Sequence, residues 1–154
     1  MMRSVSGFTG WAGLLLIAAV AVAVAGCGRF MWVPEPAPIA VPDDLSSDDV
    51  GSILRRAIIQ TGTGQYRGES WRVEEDSHGE LIVSTSPRRH YLQLVVEYDA
   101  NRVITRITDG PKLRQSSRER KTVHPRAIEW KTQLEEHFHR ALYEESLNRR
   151  EAQP

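Results

Sequence analysis

Across 154 residues there is one cysteine, no formal net charge and only 7% aromatic content. A single cysteine excludes an intrachain disulfide framework and any zinc or iron–sulfur site built from several thiolates. The balance of 20 Lys+Arg against 20 Asp+Glu removes the whole-chain electrostatic case for nucleic-acid binding. The length excludes a large multidomain enzyme and leaves room for one modest domain. No Gly-x-Ser-x-Gly turn occurs, and no thiol beyond residue 27 offers a nucleophile. Gly62-Thr63-Gly64-Gln65 lacks the following Gly-Lys-Ser/Thr of a phosphate loop and comes after a helical pattern, so it reads as a helix stop.

Long apolar runs are equally scarce, with one exception. From Trp11 to Ala25 the only non-apolar position is Gly13, and Arg3 is the only charge before Cys27. Eighteen hydrophobic residues fall in the first 26, so the remainder is far more polar than the 40% average suggests. A basic start, a short apolar stretch and small residues before a processing point make residues 1–26 a secretory signal peptide. The stretch is shorter than the ~20 apolar residues a bilayer core requires, and Arg29 closes it. Val24-Ala25-Gly26-Cys27 resembles the lipobox of bacterial lipoproteins. The small side chains suit a peptidase cleft, and Cys27 is the thiol that would take the lipid. Several acyl chains on one residue would supply the stable anchoring that one chain does not. Gly28 follows in place of an acidic retention residue, which points to the outer membrane, facing the periplasm. Four prolines between Pro34 and Pro42 favour polyproline II, so residues 27–44 read as the lipidated cysteine and a semi-rigid tether.

Residues 45–148 read as a single α+β domain, with a frayed tail over 149–154. Ser46 and Asp49 have N-cap spacing, Leu45 and Val50 have staple spacing, and Val50, Ile53, Leu54, Ala57 and Ile58 form one helical stripe. Strand patterns follow around Trp71–Val73, Glu80–Thr85, Tyr91–Tyr98 and Arg102–Thr108, separated by turn residues at Asp76–Gly79 and Asp99–Asn101. Asp109-Gly110-Pro111 closes the sheet, and a polar stretch runs on to Thr122. Pro125 suits the first turn of a second helix, whose stripe is Ala127, Trp130, Leu134, Phe138, Ala141 and Leu142. Short connections predict an antiparallel meander of three to four strands, with the N-terminal and C-terminal helices both on one sheet face.

Candidate chemistry is sparse. The histidines show no metal-ligand spacing: His137 and His139 point to different faces of a helix, and zinc chelation prefers i and i+4. A metal-dependent or hydrolytic enzyme built around His90 and His124 is an alternative, as is a purely structural spacer. The sequence points to no cofactor and no resident metal. Charge distribution says more. Lys112, Arg114, Arg118, Arg120, Lys121, Arg126 and Lys131 face only Glu119 and Glu129 between Pro111 and Lys131. The first six form a candidate interaction surface for an envelope protein, an anionic wall polymer or lipid headgroups. Arg102 marks a second candidate side.

Trp71, Gly79-Glu80-Leu81-Ile82-Val83, Arg89-His90, Val95-Val96-Glu97-Tyr98-Asp99, Leu113 and Val123-His124-Pro125-Arg126 followed by Trp130 span the domain. In these the chain resembles small envelope lipoproteins of Gram-negative bacteria. The resemblance covers about Leu45 to Leu142 and implies a helix, an antiparallel sheet and a helix behind a lipobox. The expectation is a non-catalytic, lipid-anchored envelope protein whose domain binds or organises another envelope component.

Overall fold

The computed structural model describes residues 30–61, 70–87, 90–115 and 121–152. The first helix, α1 (Ser47–Thr61), begins where the sequence says it should. Ser46 Oγ accepts from the Asp49 amide at 3.2 Å, while Asp49 Oδ2 accepts from the Ser46 amide at 2.9 Å, a reciprocal cap. Leu45 and Val50 are buried on either side of it, as a staple requires. At the other end Thr61 Oγ1 donates to the Ile58 carbonyl and accepts from the Trp71 amide, which fixes where the next strand starts.

Four strands then follow as a meander: β3 (Trp71–Ser77), β4 (Glu80–Thr85), β5 (Leu92–Tyr98) and β6 (Arg102–Asp109). Gly79, at φ +83°, turns the chain between β3 and β4, a conformation that L side chains resist. Buried and part-exposed residues alternate along β5, with Leu92, Leu94, Val96 and Tyr98 inward. Tyr98 lies against α1, and Thr105, on the same face, reaches Glu135 of the second helix, α2 (Pro125–Ala152). Both helices therefore cover one face. The other face carries Arg106 paired with Glu97. The edge strand β3 is kinked by a bulge between Val73 and Glu75 and lined with charge, features that discourage edge pairing.

The α+β fold expected from the sequence, an antiparallel meander with an N-terminal and a C-terminal helix on one face, is present. A short further strand extends it, because β2 (Ile39–Ala40) pairs antiparallel with β6 and gives the order β2-β6-β5-β4-β3. The polar stretch after Gly110 is not irregular throughout. It holds β7 (Arg114–Gln115) and β8 (Lys121–Val123), which with β1 (Met31–Trp32) make a second sheet in the order β1-β8-β7. Residues 31–44 are consequently not a free tether. β1 is hydrogen-bonded to β8, Val41 is buried, and the prolines occupy the connections, where their missing N–H costs no ladder bond.

The tail also differs from expectation, because α2 continues to Ala152. Arg149 bonds Asp49 at 2.5 and 3.1 Å, Ser146 donates to Asp44, and Arg56 pairs with Glu145. These contacts clamp the last turns of α2 to α1 and to the residues just before it, and the bases suit the negative helix end. Arg149 and Ser46 hold the Asp49 carboxyl well below the usual carboxylate range. Midway along, His137 Nε2–H donates to the Ala57 carbonyl at 3.0 Å. Burial pushes its pKa down, so the ring is a neutral pin between the helices.

Candidate interaction surface

The three-stranded sheet gathers residues from both ends of the chain. β1 begins directly after Phe30, and its register sets Trp32 opposite Thr122 and Thr122 opposite Arg114. Directly opposed residues share a face, and Phe30, two before Trp32, shares it too. The Arg114 guanidinium sits 5.3 Å from the centre of the Phe30 ring, and the Lys112 ammonium lies 5.8 Å from it. Each such contact contributes ~0.5–1 kcal/mol at an exposed site. Val123, on the reverse side, is fully buried and joins this small sheet to the core. Phe30, Met31 and Trp32 are 44%, 48% and 56% exposed, the densest run of large apolar side chains left in water among the described residues.

Backbone strain marks the same spot. Gly110 to Leu113 form a turn closed by the Leu113 amide on the Gly110 carbonyl, with Pro111 at its second position. Its third position requires positive φ, normally supplied by glycine, yet Lys112 stands there at φ +58°. Among the described residues it is the one non-glycine with positive φ, at a cost of about 1–2 kcal/mol. That conformation carries its ammonium over Phe30.

The bases singled out from the sequence thus divide. Lys112 and Arg114 converge on Phe30. Lys121 is exposed, but strand alternation turns it away from the Thr122 and Arg114 side. Arg126 stands exposed in the first turn of α2. Arg118, Arg120, Cys27, Val24, Ala25 and Gly26 lie outside the described residues. Phe30 and Trp32 are the members that the sequence reading missed as part of a site. Their signal was an aromatic pair at i,i+2 beside the proposed anchor.

The two histidines of the alternative reading do other work. His124 Nδ1 accepts from the Arg126 amide at 3.3 Å and His124 O accepts from Ala127, which makes His124 the cap of α2. His90 is exposed ahead of β5, its amide bonded to the Pro87 carbonyl. Among the described residues no three His, Cys, Asp or Glu side chains cluster as metal ligands would. Arg102 lines a shallow hollow of about 90 Å³ with Gly79, Glu97 and Asp99, room for water and little else. Among the described residues no helix is long and apolar enough to cross a membrane. Comparison with protein-family models, with curated proteins and with solved structures found no match to this chain, so the reading of this surface stands on its geometry.

Proposed function

We propose that the chain is a lipid-anchored protein of a bacterial envelope. In this reading Cys27 holds it at the outer membrane, and the α+β domain faces the periplasm and binds or organises another envelope component without catalysis. The observation that carries this is Val24-Ala25-Gly26-Cys27 at the end of a short apolar run with one basic residue before it. The exposed aromatic and basic face that follows within a few residues is a second support. A structural spacer has less in its favour, because residues 31–44 lie against the domain and lose the reach of a free tether. A site around His90 and His124 has less as well, since the His124 ring is engaged in a helix cap.

The experiment is Cys27→Ala in a bacterial host supplied with labelled fatty acid. The variant is expected to carry no label and to accumulate at precursor length in the inner membrane. Label retained by the variant would overturn the anchor.

A further inference from the structure

The geometry points to an anionic phospholipid headgroup layer as the occupant of the Phe30, Trp32, Lys112 and Arg114 face. The domain would then sit on the same membrane that holds Cys27. This rests on the anchor reading above and adds to it a partner and an orientation.

Chain geometry supplies the first argument. Phe30 is three residues beyond Cys27, and a fully extended chain covers at most ~3.3–3.6 Å per residue. An acylated Cys27 therefore keeps Phe30 within about 11 Å of the lipid junction, whatever path the backbone takes. β1 starts at the next residue and is bonded to β8, so this face stays close to the lipid junction even when the domain is not docked. The second argument is composition. Trp at a lipid boundary places an apolar ring with a polar edge at headgroup depth, and Phe favours the acyl side of it. Lys112 and Arg114 stand beside them as donors for phosphate, and among the described residues no carboxylate pairs with either. The third is the strained φ of Lys112, which keeps an ammonium at the ring when a glycine would have relaxed the turn.

An acidic protein fits this surface less well. It would have to reach a face pinned within about 11 Å of the bilayer.

Fluorescence provides the test. Trp71 and Trp130 are 6% and 8% exposed, whereas Trp32 is 56% exposed, so a quencher placed in the lipid reads Trp32 selectively. Full-length protein isolated from envelopes, its acylation checked by mass, is reconstituted into vesicles of phosphatidylcholine alone or with phosphatidylglycerol, with brominated acyl chains. The signal is taken as the difference from Trp32→Phe, which cancels any other tryptophan. Strong quenching of Trp32 is expected in the anionic vesicles, reduced by high salt. Each base near an anionic surface shifts such an equilibrium by about five-fold, so Lys112→Gly with Arg114→Gln should lower the docked-to-lifted ratio by roughly 30-fold. Lys112→Gly relieves the turn, and an unchanged urea-unfolding midpoint for the double variant separates lost docking from unfolding. An acylated protein whose Trp32 is quenched by aqueous iodide and not by bromolipid overturns the proposal and leaves the anchor standing. A chain that carries no acyl group overturns both.

Discussion

Lys131 is a charged residue inside the interface between α2 and β6, with 7% of its side chain exposed. Its ammonium pairs with Glu135 at 2.6 Å, and Glu135 also accepts from Thr105 of β6. Glu135→Gln keeps the volume and an oxygen for Thr105 but removes the charge that compensates Lys131. Leaving a buried charge unpaired costs about 3–5 kcal/mol. Glu135 is itself 19% exposed, so water has some access and the lower end, about 3 kcal/mol, applies. In a domain of roughly 100 residues, ~4 °C or more per kcal/mol gives a fall in Tm of about 12 °C. Lys131→Met should cost less, because the carboxylate left behind has more water and keeps Thr105. Lys131→Met with Glu135→Gln should recover most of the loss, since a buried pair replaced by matched neutral groups is often close to neutral. Urea unfolding of the four proteins closes the cycle. A loss below ~1 kcal/mol for Glu135→Gln would mean that the Lys131 ammonium reaches water along its flexible stem and that the pair is not buried in any energetic sense.

Gly51 in α1 has a different constraint: a Cβ there would lie 2.6 Å from Tyr98 Oη and 2.9 Å from its ring. Gly51→Ala gains up to ~1 kcal/mol of helix propensity but overpacks a buried ring at about 1–3 kcal/mol, so urea unfolding should show net destabilisation. The His137 pKa is depressed in the fold by burial, with Arg140 adding to the effect while the Ala57 hydrogen bond and Glu144 oppose it. The unfolded chain therefore binds more protons just below the ordinary value of about 6.5, so stability is full above that value and lost as pH falls toward the folded value. His137→Gln should remove that slope; an unchanged slope would show that the ring is not the titrating group. Arg149→Ala should speed amide exchange over residues 146–152 and return the Asp49 titration, read by NMR, toward its ordinary range. Asp49 stability is present above about pH 4 and lost below it, whereas the loss from His137 begins as pH falls through about 6.5.

What the sequence revealed followed from periodicity. The stripe from Val50 to Ile58 is buried as read, and so is the inward alternation of β5, because each pattern repeats often enough to define a face. The strands that escaped notice, β1, β2, β7 and β8, are two or three residues long. No period can be read over two residues, and they form only because a distant partner supplies the other half of each ladder. The flanking prolines disguised the first two as a tether. Buried Lys131 and His137 were illegible for another reason. They flank the apolar stripe at Trp130, Leu134 and Phe138, and their burial depends on Glu135 and on the Ala57 carbonyl arriving from elsewhere. The candidate surface was half visible. A surplus of bases was plain in composition, but that Lys112 and Arg114 would meet Phe30, more than 80 residues earlier in the chain, needed the β1-β8-β7 register.

The most direct measurement is the mass of the N-terminal peptide of the protein recovered from bacterial envelopes. A peptide that begins at Cys27 and carries diacylglyceryl and amide-linked acyl groups is the expected result. A peptide that begins upstream of Cys27, or an unmodified Cys27, would contradict the anchor and with it the placement of Phe30 and Trp32 at the membrane.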